Sequence, residues 1–362
     1  MNSDQIKGMK IEELISLRLY NQRLSKTDFK KPSEVVSWLG AVQAQDFLGS
    51  LWTVGQRMKK AVEADIEEAI ADRSIVRTWP MRGTLHFVMP DNVRWMLKLL
   101  SQRIIARAQT NYRSEGLDKT IFTKSNKLFE RALRDGKQLE RSEMYDVLER
   151  GKISLEGQRG IHILVHAAME GVICVGPRSG KQHTYTLLDE WIPKGKELNR
   201  DDSLVELAKM YFVSHGPATV HDFSWWTGLT VAEAKLAIGM VQPKLISVTI
   251  EDHVYWMTGE FTIPKVKKPI ASLNSWFDEI LIGYKDRSII IDSTVSKFIQ
   301  NPKNGIFSSN ILIDGKVAGI WKRAFVKEKV EMELKPFRKF NAKEKEAVDA
   351  AVSRYKSFVA IH

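Results

Sequence analysis

Two short segments of the chain carry polar side chains at a spacing of two residues. In the first, Gly40-Ala41-Val42-Gln43-Ala44-Gln45-Asp46, two neutral amides flank one small apolar residue and precede a carboxylate. Residues i and i+2 of an extended chain point to the same side, so Gln43 and Gln45 can share a pocket if the preceding helix ends near Gly40. An amide can accept a hydrogen bond from water and donate one to a phosphate or sugar oxygen. The alternative is that both glutamines are solvated at a helix end.

The second segment, Arg77-Thr78-Trp79-Pro80-Met81-Arg82-Gly83-Thr84-Leu85-His86, places Arg82, Thr84 and His86 at a period of two. On an extended strand these three side chains share one face. The segment predicts a hairpin face that lines a cleft, with Arg82 on a phosphate and His86 on a sugar or a water. The alternative is a solvated arginine and a histidine that satisfies a local backbone group. Arg77 is a candidate for phosphate binding only because of its position in this segment.

The charge of the chain favours an anionic partner. Lys and Arg number 55 against 44 acidic residues, which gives a net charge of +11. A basic surface attracts polyanions, nucleic acid first. Further candidates for phosphate binding are Arg103 and Arg107 on one predicted helix, and Arg178 and Lys181 beside a predicted turn. The alternative for each is a solvated basic face.

The elements that must position these residues recur along the chain. Residues 11–28 and 64–73 are predicted helices, and Pro32 is expected to open another at its first turn. A β-hairpin is predicted over 75–89, with Pro80 at or near its bend. Helices followed by a hairpin are the outline of a winged helix, here assigned to residues 1–120.

The same outline is predicted twice more. The second unit, 121–200, has helices at 124–135, 141–150 and 157–170 and strands at 172–176 and 183–187 around the turn-forming residues 177–180. The third unit, 201–264, has a helix at 203–214, helices capped by Thr219 and Thr230, and strands at 245–250 and 253–258. A single chain with these units is expected to bind DNA as a monomer.

The last segment, 265–362, is predicted to be a small β-rich domain with a terminal helix. A basic linker at 265–269 precedes β patterns at 278–295 and 306–333 and a helix at 342–358. Asp314-Gly315 between apolar runs is a strong hairpin signal. The fold class is therefore α+β: tandem winged-helix (helix-turn-helix) units followed by a small β-rich domain.

Composition excludes several other classes of protein. The single Cys174 allows no intrachain disulfide framework, and the N-terminus lacks the apolar core of a signal peptide. No apolar run reaches the length of a membrane span, so a cytoplasmic protein without a membrane partner is expected. Phosphate-cradling glycine motifs are absent, so no nucleotide or other cofactor is expected. His162 and His166 lack an evident third ligand, so no metal is expected.

Four segments together resemble a known family. VQAQD, RTWPMRGTLHFV, FDEILIGYKDRS and ILIDGKVAGIWKR are similar, in order and spacing, to the AlkZ/YcaQ-type winged-helix DNA glycosylases, from about Leu17 to about Phe337. The resemblance implies a monofunctional glycosylase that excises N-alkylated purines from double-stranded DNA; some members unhook interstrand crosslinks. It assigns the catalytic signature to Gln43-Ala44-Gln45, the Gln-x-Gln branch. Relatives often have a proline shortly before Phe-Asp-Glu, where this chain has Asn274-Ser275-Trp276.

Such chemistry suits two amides. A purine alkylated at N7 or N3 already carries a positive charge, so it can leave the sugar without protonation by a strong general acid. The enzyme then has two tasks, which are to place a water near C1′ and to stabilise an oxocarbenium-like sugar. Asp46 is expected to stabilise that cation or polarise the water, or else to be a solvent-exposed cap of the next turn. The alternative function is a non-catalytic winged-helix DNA-binding protein or transcriptional regulator.

A dense polar cluster follows Phe277. It consists of Asp278, Glu279, Tyr284, Asp286 and Arg287. A buried salt-bridge network that locks the C-terminal domain to the winged helices is favoured here over a catalytic role.

Overall fold

The computed structural model describes residues 9–241, 244–259, 268–299, 308–326 and 329–359. Helices alternate with short antiparallel strands along the chain. The helices are α1 (Ile11–Asn21), α2 (Pro32–Leu39), α3 (Phe47–Gly55), α4 (Glu63–Ala71), α5 (Pro90–Ser114), α6 (Lys119–Ala132), α7 (Arg141–Arg150), α8 (Arg159–Met169), α9 (Leu188–Trp191), α10 (Arg200–Ser214), α11 (Val220–Thr227), α12 (Val231–Val241), α13 (Glu279–Ile282), α14 (Ser296–Ile299) and α15 (Ala342–Phe358).

The strands are short and most of them pair in hairpins. They are β1 (Val42–Gln43), β2 (Val76–Met81), β3 (Thr84–Val88), β4 (Leu139–Glu140), β5 (Ile173–Ser179), β6 (Gln182–Leu187), β7 (Leu245–Ile250), β8 (His253–Thr258), β9 (Ala271–Asn274), β10 (Asn310–Ile313), β11 (Lys316–Val326) and β12 (Lys329–Pro336). The chain is thus a mixed helix and strand protein. No helix within the described ranges is long and apolar enough to cross a membrane.

The chain forms two compact units. Unit 1 joins the residues up to Ile66 to those from Val205 onward, and unit 2 spans Glu67–Leu204. Unit 1 contains the sheet β12-β11-β10-β9 and the hairpin β7-β8. The four-part division expected from sequence stays a prediction, and most of its basic linker, at 265–267, lies outside the described residues.

In unit 2, the strands β3, β2, β5, β6 and β4 lie in that order in one sheet. The two hairpins predicted separately from sequence are joined in it, with Arg77 opposite Val175. Pro80 lies near the bend, as predicted, but not in it, because it belongs to β2 and lies within a register shift between Thr78 and Met81. A proline is tolerated at such an irregularity because the ladder already lacks a hydrogen bond there.

The turn of the first hairpin is formed instead by Arg82 and Gly83, at φ +55° and +71°. Arg82 is therefore a turn residue rather than a strand residue, so the period-two argument for its side chain does not apply. The second hairpin is also tighter than expected, since β5 continues to Ser179 and turns at Gly180, φ +58°.

Several local predictions in unit 1 are confirmed. Pro32 opens α2, and Gly40 ends it at φ +80°, a conformation that favours glycine. Thr219 caps α11 by accepting from the Asp222 N–H at 3.1 Å, and Thr230 accepts from the Glu233 N–H at 3.1 Å. The strands at 245–250 and 253–258, the turn at Asp314-Gly315 and the helix at 342–358 have the predicted bounds.

Two other predictions in unit 1 are wrong. The first helix ends at Asn21 rather than at residue 28. The apolar run Ile280-Leu281-Ile282 is a helical turn rather than a strand, because the Asp278 side chain accepts from the Ile280 N–H at 3.0 Å and caps it. A short apolar run that is buried on all sides gives no periodicity to distinguish the two states.

Candidate active site

The backbone of Gln43 is anchored in unit 1 by a buried carboxylate. Its N–H donates to Glu279 Oε1 at 2.9 Å. Glu279 is fully buried, and its Oε2 accepts from Trp226 Nε1 at 3.0 Å and faces His215 Nε2 at 3.4 Å. A buried carboxylate that accepts from two N–H groups is a rigid support, since breaking either bond leaves a charge unsatisfied. The position of Gln43 is therefore fixed by its main chain.

The other end of the motif is fixed by packing against α3. Asp46 occupies the N-cap position, yet its carboxylate makes no capping hydrogen bond to the described residues of α3. Its Oδ2 lies instead against Gly49, where a Cβ would overlap it. Gln43 is 8 % exposed, whereas Gln45 between the two anchored residues is exposed to solvent. Strand β1 is limited to Val42 and Gln43, and the chain bends at Gln45. The argument that both amides point to the same side therefore does not extend along one continuous strand.

The predicted buried network is confirmed for Asp278, Glu279 and Tyr284, whereas Asp286 is exposed and Arg287 is partly exposed. Arg57 and Asp278 form a two-pronged ion pair, with Nη2–Oδ1 at 2.7 Å and Nη1–Oδ2 at 2.9 Å, and both side chains are fully buried. Gln56 Nε2 donates to the same Oδ2 at 2.6 Å. Asp278 thus ties α3 to the segment that carries Glu279.

Gln22 and Tyr284 extend this network toward His215. Gln22 Nε2 donates to the Glu279 carbonyl at 3.2 Å and to the Tyr284 hydroxyl at 3.1 Å. The Tyr284 hydroxyl donates to the His215 carbonyl at 2.8 Å. Burial lowers the pKa of His215, although the hydrogen bond to Glu279 opposes that effect, so the imidazole is neutral near pH 7.

The hairpin residues of unit 2 are brought into contact with one another. Arg82 Nη2 lies 3.1 Å from His86 Nε2, and His86 Nδ1 lies 2.9 Å from the Thr84 carbonyl oxygen. Because a carbonyl can only accept, Nδ1 carries the proton and Nε2 accepts from Arg82. His86 is fully buried and orients the guanidinium of Arg82, so it acts as a support for Arg82 in this arrangement.

The remaining basic candidates of unit 2 differ in exposure. Arg77 is buried at 2 % exposure, whereas Arg107 on α5 and Lys181 in the β5–β6 turn are exposed, and Arg103 is partly exposed. Arg178 forms an ion pair with Glu67.

Positive charge is nevertheless concentrated at the β5–β6 hairpin. Burial, and then the charges of Arg77, Arg178 and Arg141, lower the pKa of His183 to about 4. His183 lies directly opposite Arg178 in the hairpin. The three arginines around this histidine make the hairpin attractive to anions, including phosphates.

The two histidines that suggested a metal pair are packed among aromatic rings. His166 stacks on Phe122 with ring centroids 3.6 Å apart, and Tyr112 meets both His162 and His166 edge-on. Within the part of the chain that the structure describes, no group of three or more His, Cys, Asp and Glu side chains is arranged to hold a metal ion.

Comparisons with known proteins agree on one family. The model of the family described as "DNA glycosylase AlkZ-like" matches residues 36–358. An "Interstrand DNA cross-link repair glycosylase" of Streptomyces sahachiroi is 26 % identical over 326 residues, which cover 86 % of this chain and 87 % of that protein. The solved structure of the Streptomyces sahachiroi DNA glycosylase AlkZ is similar in fold, with a TM-score of 0.80 at 23 % identity, over 97 % of this chain and 98 % of that one.

Proposed function

This chain belongs to the AlkZ-like DNA glycosylase family, and we propose that it hydrolyses the N-glycosidic bond of cationic N-alkylated purines in double-stranded DNA. Membership of a glycosylase family over residues 36–358 favours an enzyme over a non-catalytic regulator. The observation that carries the proposal is the anchored motif Gln43-Ala44-Gln45-Asp46, which is held by Glu279 at one end and packed on Gly49 at the other.

The proposed reaction needs little acid catalysis. The bond from C1′ to the purine nitrogen breaks with its electron pair going to the base, which neutralises the positive charge of the alkylated ring. The water oxygen bonds to C1′, and a water proton passes to solvent, which leaves an abasic site. Gln43 and Gln45 orient that water and the sugar through their amides, and Asp46 stabilises the developing positive charge of the sugar.

The basic residues supply the affinity for DNA in this proposal. Phosphates are bound by Arg82, with Thr84 and His86 beside it, by Arg103 and Arg107 on α5, and by Arg178 and Lys181 of the β5–β6 hairpin. Arg77 is buried, so it contributes its positive charge rather than a direct phosphate contact. The hydrogen bond from Arg82 to His86 supports phosphate binding by Arg82, because it holds a flexible guanidinium in one orientation. No metal or nucleotide cofactor takes part in the proposed reaction.

Crosslinks are a second class of substrate in this proposal. The Streptomyces sahachiroi relative, at 26 % identity, is named as a repair glycosylase for interstrand DNA cross-links. A crosslink through N7 of a purine leaves the same cationic ring on the sugar, so its release needs the same bond cleavage as a simple alkyl lesion.

Release of 7-methylguanine from methylated duplex DNA under single-turnover conditions tests the proposed function. We expect free base and an abasic site, which hot alkali converts to a strand break. If neither product forms while the DNA is fully bound, the proposed function is wrong and the chain is better described as a non-catalytic DNA-binding protein.

The proposed architecture is a tandem of winged helices, in four parts at 1–120, 121–200, 201–264 and 265–362. The order α6, α7, α8, β5, β6 and the order α10, α11, α12, β7, β8 both support it, since each places three helices before a hairpin. Because one chain carries three such units, it does not need a second protein chain to bind DNA. We expect a monomer in sedimentation velocity, with and without duplex DNA; an obligate two-fold dimer would contradict this, since it would suit a palindromic operator.

DNA binding should depend steeply on salt and little on sequence. The net charge of +11 and the phosphate-binding roles of the arginines motivate this expectation. Titration of unrelated duplexes at several salt concentrations should give a linear fall of log affinity with log salt and similar values for each duplex. A flat salt response, or strong preference for one sequence, would argue against these phosphate contacts.

A further inference from the structure

An exposed tryptophan lies on a rigid turn beside the Gln43–Asp46 motif. Trp276 is 43 % exposed, although Ser275 before it is 5 % exposed and Asp278 after the turn is fully buried. The Asp278 N–H donates to the Ser275 carbonyl at 3.3 Å and closes a four-residue turn with Trp276 at its first corner. The indole is therefore held outward between two buried positions.

Both ends of this turn are fixed by side-chain contacts. Ser275 Oγ lies 2.9 Å from Thr53 Oγ1 on α3, and the Asn274 carbonyl accepts from Trp321 Nε1 at 3.1 Å. Asp278 is held by its ion pair with Arg57. A fixed backbone lowers the entropic cost of binding a ligand at this turn, because the main chain does not have to be ordered.

The turn reaches the motif through Gly49. A Cβ on Gly49 would meet the Asp46 carboxylate on one side and would lie 3.0 Å from Ser275 Cβ on the other. Asp46 and Ser275 thus pack on the same glycine, and Trp276 directly follows Ser275. The turn that carries the exposed indole therefore packs on the same helix, α3, as Asp46, which directly follows the exposed Gln45.

We propose that Trp276 recognises the lesion by stacking its indole on the positively charged ring of the alkylated purine. Indole is the aromatic side chain with the strongest attraction for cations, and it stacks on any nucleobase through its π face. A cationic purine is bound by both effects, whereas a normal purine is bound by stacking alone. The inference rests on the proposed function, and it makes Trp276 a residue that determines specificity for charged lesions.

The test compares two duplexes that differ in one charge. The first carries 7-methylguanine on a 2′-fluoroarabino sugar, which slows hydrolysis, and the second carries neutral 7-methyl-7-deazaguanine on the same sugar. For the unmodified protein we expect tighter binding of the charged duplex. Trp276→Ala should reduce the ratio of the two affinities by roughly two- to thirtyfold. Trp276→Phe should restore part of the ratio, and Trp276→Leu should not.

Trp225→Ala is the matched control, because Trp225 is 46 % exposed in the same unit and donates its Nε1–H to the Ile282 carbonyl at 3.1 Å. It should leave the ratio unchanged. If the unmodified protein releases base and prefers the charged duplex, but Trp276→Ala keeps that preference, the inference about Trp276 is wrong. If the unmodified protein releases no base and binds both duplexes equally, the proposed function is wrong and this inference falls with it.

Discussion

Replacement of Asp278 by alanine is expected to lower the free energy of unfolding of unit 1 by about 3–5 kcal/mol, because it leaves the charge of Arg57 buried without its partner. Both members of this pair are fully buried, and the two nitrogen–oxygen distances are 2.7 and 2.9 Å. The substitution also removes the acceptor of Gln56 Nε2 and the cap of α13. Urea denaturation followed by tryptophan fluorescence measures the loss.

A double-mutant cycle separates the ion pair from the general cost of truncation. Arg57→Met should also be strongly destabilising, since it leaves the carboxylate of Asp278 buried and unpaired. The double variant should cost less than the two single costs added together, because neither charge is then left alone. Asp349→Ala, at an exposed position on α15, is the control and should change stability by less than about 0.5 kcal/mol. Equal losses for Asp278→Ala and Asp349→Ala would contradict a stabilising role for the pair.

The parts of the fold that follow from a few neighbouring residues could be predicted from sequence. Gly40 ends α2, Thr219 begins α11, and Asp314-Gly315 turns one hairpin, because in each case the local backbone requirement is met by a residue type that few others can replace. The same reasoning placed Pro80 at or near the bend of another hairpin, but it did not identify the turn residues themselves. The positive φ angles lie instead at Arg82 and Gly83, and Pro80 is accommodated by the irregular ladder of β2.

Contacts between distant segments could not be predicted in detail. Gln43 and Glu279 are separated by 236 residues, and Arg57 and Asp278 by 221, so no local pattern relates them. The crowding of Asp278, Glu279 and Tyr284 in one segment did indicate a buried network, but it could not tell that Glu279 supports Gln43. Likewise the two glutamines were recognisable as a motif, whereas their unequal exposure depends on how the chain bends after β1.

Gln43→Ala and Gln45→Ala are each expected to slow excision of 7-methylguanine by roughly a hundredfold or more, since loss of one well-placed polar contact costs about 2.7–4 kcal/mol at the transition state. The fold should survive both changes. The Gln43 backbone N–H keeps its bond to Glu279 without the side chain, and Gln45 is exposed. His86→Ala should have a smaller effect, because His86 orients Arg82 rather than reaching the reacting atoms itself. Single-turnover rates at saturating enzyme isolate the chemical step from DNA binding.

Gln158→Ala is the matched control, because Gln158 is also exposed beside a helix and its side chain makes no capping hydrogen bond to the described helix α8. It should keep the full rate of base release. Thermal melting and DNA titration of each variant show whether a slow rate reflects lost chemistry or lost folding. If both glutamine variants release base at the full rate while their folding and DNA binding are unchanged, neither amide positions the water. The carboxylate packed on Gly49 then becomes the best candidate, and Asp46→Asn, which keeps the size of the side chain but removes its charge, should abolish the reaction instead.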